Sequence, residues 1–362
     1  MTMRKFVEDI VYGRRTDAVT FPLRCILNVF AVPYSLGVSF RNLLYNRGIL
    51  AILRVPCRVV SIGNIVAGGT GKTPLVIMTA GLLKEAGYSV AVVSRGYGRT
   101  GNDAVVVSDG GRVFVSVREA GDEPLVIAGS LSGVPVVVGR DRYAAAKLAY
   151  ERFLPDVIVL DDGYQHRRLY RSVDIVAMDA ENPLGGGHLL PRGLLREPPG
   201  ALKRATAIVI TRVRDDHDRG QIRHMVTSYN PKVPVFWSTV RPTDLRVPGT
   251  RDRSDVNTLQ GRKVAALSNI ANPVPFHRLI ESLGAELVHT SVFPDHHRYD
   301  AVQLQRVEQE ACDAGAGILV MTPKDERNLP ADYNVKLIEK RVLDIEAVLV
   351  GDNDEFKQLV AP

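Results

Sequence analysis

The chain has 362 residues, 45% of them apolar and 24% charged, which marks a folding globular sequence and excludes disorder or low complexity as its main character. Its length suggests two or three domains. Three cysteines (Cys25, Cys57, Cys312) lie far apart with no CxxC pair, which argues against a disulfide framework or cysteine zinc site and points to a reducing compartment.

The net charge of +6 sits at one end. Residues 1–60 carry nine Lys/Arg against three acids, a surplus equal to that of the whole chain, and the remainder is balanced. A basic end on a neutral body suits an anionic surface. From Phe21 to Leu53 the chain is strongly apolar, yet Arg24, Asn28, Pro33, Arg41 and Arg47 keep every run below the ~18 apolar residues of a spanning helix. Arg24, Asn28, Ser35, Ser39, Asn42 and Asn46 recur at helical spacing, leaving a narrow polar stripe and a wide apolar face, and Pro33 is expected to kink or split the helix. Such a segment packs on the protein's own core, lies in a membrane interface or, least of the three, spans the bilayer; the basic charge alone would also suit nucleic acid, and the wide apolar face favours membrane.

After Pro56, short β-branched runs alternate with helical stretches. The expected strands are Arg58–Ile62, Ser89–Ser94, Pro135–Val138, Val157–Leu160, Val173–Met178, Thr206–Thr211, Val233–Trp237, Lys263–Ser268, Gly317–Thr322 and Ala347–Val350. Expected helices are Pro74–Ala86, Arg140–Arg152, Pro273–Leu283 and Ala301–Ala314. The alternation predicts an α/β fold with parallel sheet covered by helices on both faces. Val105–Val107 and Val113–Val117 read as an inserted hairpin around Asp109-Gly110-Gly111, and Arg241–Asn257 as an irregular stretch. The expected organisation is an N-terminal segment 1–56, a P-loop domain 57–235 and a smaller α/β domain 236–362.

The sharpest chemical signal is Val66-Ala67-Gly68-Gly69-Thr70-Gly71-Lys72-Thr73, between a strand and an apolar helix. There the glycines let backbone N–H groups face phosphate, Lys72 neutralises β/γ oxygens, and Thr73 can hold Mg²⁺. Val66 stands where the P-loop pattern has Gly. Val157–Leu160 then ends in Asp161-Asp162, the acid-tipped strand that a P-loop protein uses on the metal side of the phosphates. Gly121-Asp122-Glu123-Pro124 puts an acid before a helix, either a cap or a functional carboxylate. Phe293–Tyr299 holds His296 and His297 beside Asp295, without partners at zinc spacing. Gly185–Glu197 is a long basic Gly/Pro loop of the kind that usually binds something.

Taken together and in order, these segments resemble the tetraacyldisaccharide 4′-kinase family. The match includes Gly63-Asn64 with Gly68–Pro74, Ser94–Gly98, Gly121–Pro124, Asp161–His166, Leu190-Pro191 with Arg196-Glu197, Asp295-His296, and Thr322-Pro323-Lys324-Asp325. The resemblance implies a kinase that transfers the ATP γ-phosphoryl to the 4′-hydroxyl of an acylated glucosamine disaccharide 1-phosphate. It further implies a peripheral protein on the cytoplasmic leaflet of the inner membrane, with ATP and Mg²⁺ as cofactors and neither nucleic acid nor an obligate protein partner. Asp122 would be the base with His296 in support, Val66–Thr73 the nucleotide loop, and Thr73, Asp161 and Asp162 the metal side. Tyr97, Gln165, His166, Arg196 and Glu197 would surround the substrates. The rival reading is a soluble P-loop ATPase of the partitioning or metal-insertion type, which normally has Lys near position 67, where Ala67 stands. A nucleotide-gated scaffold that hardly hydrolyses ATP is the non-enzymatic rival.

Overall fold

The computed structural model describes residues 10, 17–250, 252–330, 333, 337–351 and 353–362. The basic residues Arg4, Lys5, Arg14 and Arg15 of the N-terminal segment therefore lie outside the described residues. In chain order the principal elements are α1 (Phe21–Asn46), β1 (Arg58–Gly63), α2 (Lys72–Glu85), β2 (Val90–Ser94), β3 (Val105–Ser108), α3 (Val117–Ala120), α4 (Asp122–Ser130), β4 (Val136–Val138), α5 (Arg142–Phe153) and β5 (Val157–Asp161). There follow β6 (Val173–Asp179), β7 (Ala207–Thr211), α6 (Arg219–Tyr229), β8 (Val235–Arg246), β9 (Arg253–Ser254), β10 (Lys263–Ser268), α7 (Val274–Ser282), β11 (Glu286–Val292), α8 (Ala301–Asp313), β12 (Ile318–Met321), α9 (Pro323–Arg327), β13 (Glu339–Leu349) and α10 (Asp354–Val360).

The chain forms two compact units. The first comprises residues 1–95, 139–239 and 348–362, the second 96–138 and 240–347. This differs from the sequence expectation, which placed 96–138 in the P-loop domain. The segment carries no composition shift at its ends, so only its long-range packing assigns it.

In the first unit, β1 lies between β5 and β6, β2 adds to β5, and β7 continues from β6 to the start of β8, every pair parallel. Val59, Val60, Ile62, Val92, Ile158, Val159, Ile175 and Val176 are all at most 1% exposed. Each such side chain contributes roughly 1.5–3 kcal/mol by leaving water, which is why these strands read as unbroken apolar runs rather than alternating ones. The second unit has its own parallel set, with β10 between β11 and β12 and β13 beside β12, and an antiparallel β8–β9 pair.

Three expectations are corrected. The hairpin does not form as a strand pair. Asp109 does make its turn, accepting from the amides of Gly111 and Arg112, but β3 pairs antiparallel with β4 and only Ser108 bridges to Val113. The returning segment gives way to α3 at Val117, where Ser116 and Glu119 close a reciprocal capping box. Arg241–Asn257 is likewise not irregular throughout, since β8 runs on to Arg246. Its outer half is tied by ion pairs, Arg241 to Glu346 and Arg246 to Glu326 and Asp344, which a hydrophobic pattern does not register. Helix α1 is continuous through Pro33.

Helix α1 buries none of its residues fully, and Val29, Phe30, Leu36 and Phe40 are each more than 60% exposed. It is long and apolar enough to cross a membrane by length and composition. Its other face is half-buried against the first unit, through Tyr34, Val38, Arg41, Asn42 and Tyr45.

Candidate active site

The phosphate loop of the first unit follows β1 directly. Gly71 takes the left-handed conformation (φ 74°) at the N-cap of α2, and a β-carbon there would press on Thr211 at 3.2 Å. Thr70 is buried beneath the loop: its hydroxyl accepts from Asn64 Nδ2 at 2.9 Å, and its carbonyl accepts from Thr211 Oγ1 at 2.8 Å. Val66, where the pattern has Gly, is 5% exposed and bridges to Leu195 in a cluster with Ile65 and Leu194. The Ala67 amide donates to the Leu194 carbonyl at 2.6 Å. The start of the loop is therefore anchored in the core.

Asp161 and Asp162 end β5 but point to different partners. Asp161 is buried and accepts from Ser94 Oγ at 2.8 Å. Asp162 adopts a left-handed backbone (φ 51°), uncommon for a residue with a β-carbon. Its carboxylate accepts from Arg196 Nη1 at 3.0 and 2.9 Å and lies 3.5 Å from Lys72 Nζ. Burial pushes the Asp162 carboxyl up, but Lys72, Arg196 and Arg142 outweigh it and hold it far below the usual carboxylate range. The P-loop lysine and the second acid of the motif are thus brought together.

A cleft of about 760 Å³ opens beside Asp162, lined by the inner face of α1 and by Arg41, Arg95, Arg140, Arg142, Arg167 and Arg196. Arg142 is 1% exposed, and its Nε and Nη2 have no hydrogen-bond partner among the described residues. Burial lowers it to about 10. His166 lines the same cleft; burial, with Arg142 among its neighbours, holds it down to about 3, so it is neutral. Gln165 donates to the Asn64 carbonyl at 2.8 Å and to Glu197 at 3.1 Å. Glu197 is fully buried, and its oxygens also take Arg204 and Asn42 Nδ2 of α1.

The second unit brings Asp122 and His296 together across 174 positions of sequence. Asp122 opens α4, Gly121 (φ 88°) being its N-cap, where a β-carbon would meet the Tyr97 carbonyl at 2.8 Å. It is therefore not the cap that sequence alone allowed. His296, also left-handed (φ 61°), places Nδ1 at 3.1 and 3.0 Å from the Asp122 oxygens. The Tyr97 ring lies 4.7 Å from the His296 ring. Burial pushes the Asp122 carboxyl up, but the His296 hydrogen bond and the Lys324 ammonium hold it at about 2. Burial pushes His296 down, yet Asp122 raises it above the ordinary imidazole value. His297 turns away to Gln303 Oε1 at 2.9 Å.

Sequence reasoning missed Arg142 and Lys324 as site residues. Arg142 sits at the start of a helix rich in alanine and charge, and no local pattern separates it from a solvated arginine. Its Nη1 donates to the Gly139 and Arg140 carbonyls, and the unpartnered Nε and Nη2 appear only once the strands are assembled.

The comparisons with known proteins identify the family. The family model for LpxK, tetraacyldisaccharide-1-P 4′-kinase, matches residues 23–362. A tetraacyldisaccharide 4′-kinase of Syntrophus aciditrophicus is 44% identical over 88% of this chain and 87% of its own length. That of Anaeromyxobacter dehalogenans strain 2CP-C is 41% identical over 91% and 88%. The crystal structure of the "apo" form of LpxK from Aquifex aeolicus in complex with ATP superposes with a TM-score of 0.73 at 31% identity, covering 93% of this chain and 98% of that one. The P-loop clamp, the Asp122–His296 pair and near full-length similarity lead to one conclusion: this chain belongs to the tetraacyldisaccharide-1-phosphate 4′-kinase family.

Proposed function

We infer that the protein transfers the γ-phosphoryl of ATP to the 4′-hydroxyl of a tetraacyldisaccharide 1-phosphate. The observation that carries this reading is the P-loop lysine clamped to Asp162 at the edge of a large arginine-lined cleft walled by an apolar helix. An ATPase needs the first feature but has no use for the second. The attacking oxygen forms a bond to the γ-phosphorus, the bond to the β–γ bridging oxygen breaks, and ADP leaves. Asp122, supported by His296, takes the hydroxyl proton; a base in contact contributes typically ~10²–10⁴-fold.

Lys72 and the loop amides hold the transferring charge, positioning being most of phosphoryl-transfer catalysis. Thr73, Asp161 and Asp162 offer oxygen donors only, the chemistry a hard cation takes; these residues would hold Mg²⁺, which would neutralise the phosphate oxygens. The idle Nε and Nη2 of Arg142, in a cleft that keeps His166 neutral, support docking of the acceptor's own phosphate there. The exposed apolar face of α1 supports an interfacial seat on the cytoplasmic leaflet, which would bring a tetraacylated acceptor to the cleft.

The test is transfer of label from γ-labelled ATP to a synthetic tetraacyldisaccharide 1-phosphate, run beside ATP hydrolysis without acceptor. A kinase labels the lipid and turns over little without it. Equal ATP turnover with and without lipid would make the ATPase reading the right one.

A further inference from the structure

The Thr322-Pro323-Lys324-Asp325 turn has no part in the reaction as described, yet it is among the most firmly built features of the second unit. Asp325 is fully buried, and its carboxylate accepts from the amides of Asn269 and Thr322 and from the hydroxyls of Tyr299 and Thr322, at 2.5–2.9 Å. Four bonds on one carboxylate fix the turn that precedes and opens α9. What the turn presents is Lys324.

Its side chain is 13% exposed, and its ammonium lies 2.5 Å from Asp295 Oδ1 and 3.6 Å from Asp122 Oδ2. Asp295 in turn lies 3.7 Å from His296 Nε2, the ring nitrogen opposite the one that meets Asp122. Asp122, His296, Asp295 and Lys324 thus close a ring in which acid and base alternate. Asn328 Nδ2 adds a contact to Asp122 Oδ2 at 3.5 Å.

The other charges around the ring are accounted for. Glu123 on α4 acts on Lys324 from a distance. Glu326 is committed to Arg246, and His297 to Gln303. Arg327 lies against Gly129, and Asp325 is spent on Thr322, Asn269 and Tyr299.

We propose that Lys324, clamped by Asp295, is a positioning residue for the Asp122–His296 pair, holding the carboxylate against the imidazole and opposing a second positive charge there. The reason is electrostatic. The pair works as a base only when it has a vacancy for the proton it will take. A histidine between two carboxylates tends to fill that vacancy from solvent, and His296 does lie above its ordinary value. Lys324 opposes that filling directly, since like charges at this range disfavour each other. The pair titrates as a unit, so the effect belongs to both members.

The inference rests on the kinase reading for its activity assay and is tested separately by the His296 titration. In full-length Lys324→Met, the acid limb of the kcat/KM profile should move up by about one pH unit. Activity at pH 7 should fall about tenfold, recover towards pH 9, and leave the KM for ATP unchanged. Lys324→Arg keeps the charge and should restore the wild-type limb. Asp295→Asn removes the opposite charge and should move the limb down. A packing defect cannot produce opposite shifts from the two ends of one ion pair. NMR of histidine-labelled protein without substrates should show the same directions for His296. An unmoved His296 titration in Lys324→Met overturns the proposal, whereas a wild type that cannot phosphorylate the acceptor overturns only the kinase reading. Should Lys324→Met not fold, Asp295→Asn decides: an upward or absent shift defeats the charge ring.

Discussion

Asp162 and Asp122 are both carboxylates kept ionised in partly buried surroundings, but their keepers differ in kind. Asp162 is held by the Lys72 ammonium and the Arg196 guanidinium, with no histidine between them. Asp122 is held by a histidine with a lysine behind it, so its state follows the proton on His296. The first arrangement suits a fixed electrostatic frame for phosphate, the second a group that must gain and lose a proton in each turnover. The two clusters also differ in how the chain builds them. Lys72 opens the helix that follows β1, and Asp162 comes directly after β5, the parallel neighbour of β1, whereas Asp122 and His296 are 174 positions apart on elements with no such pairing.

The sharpest way to break this comparison is at the proton. Asp122→Asn keeps the shape of the side chain but cannot accept, so kcat should fall by ~10²–10⁴-fold with ATP binding retained. Combined with His296→Ala it should be little worse than the worse single variant, because residues that act as one unit are non-additive. Fully multiplicative losses in steady-state kinetics would separate the two residues' roles. Next in size is the frame. Lys72→Ala removes one charge from the phosphates and one clamp from Asp162, and kcat should fall on the order of 10²–10³-fold. Circular dichroism should show an intact fold. An unchanged kcat would remove Lys72 from the phosphate site.

The legibility of the two clusters followed the same division. The frame is local: a Gly-rich turn after a strand, and acids at the tip of the neighbouring strand, are both readable from order and residue type. The parallel strands were readable too, because burial on both faces makes them apolar throughout. The Asp122–His296 pairing was available only through family resemblance, since no spacing rule connects positions so far apart. What no pattern revealed was polar architecture. The outer half of β8 and the strand Glu286–Val292 are held by backbone pairing with few buried side chains, so they carry no apolar signature. The hairpin misreading was local as well. A turn at Asp109 was recognised, but the capping box Ser116–Glu119 that redirects the chain into α3 outweighed β-branched content.

Helix α1 extends the comparison outward, since one face meets the fixed frame and the other meets solvent. Tyr34 Oη donates to the Arg196 carbonyl at 2.9 Å, and Asn42 Nδ2 to Glu197 at 2.8 Å. Deleting the helix would therefore uncover a buried carboxylate as well as remove an anchor. Substituting only the outer face is cleaner. Phe30→Asp, Leu36→Asp and Phe40→Asp together should lower membrane partition by about 10²-fold, given the apolar area each buries at an interface. The protein should bind ATP as before in equilibrium dialysis. High salt should release the wild type only in part, because each juxtamembrane Arg contributes about 1 kcal/mol while the apolar face is indifferent to salt. Complete release by salt alone would assign the attachment to charge.

The smallest expected effect separates the two carboxylates by stability rather than rate. His296 has a raised folded-state pKa, so its pairing with Asp122 contributes stability that is full below the unfolded imidazole value of about 6.5 and is lost as pH rises through the folded value. Asp162 has a lowered one, so its contribution is present above the unfolded carboxyl value of about 3.9 and is lost only as pH falls towards the folded value. Between pH 6 and 9 the first contribution fades while the second is constant. The Tm difference between wild type and His296→Ala should accordingly shrink across that range, by a degree or two in a chain of this size. The difference between wild type and Arg196→Gln should stay level, whatever its size. Scanning calorimetry at several pH values reads both at once. A level His296→Ala difference would mean that the pair carries no extra proton in the free protein, and the distinction between a fixed frame and a titrating base would then rest on kinetics alone.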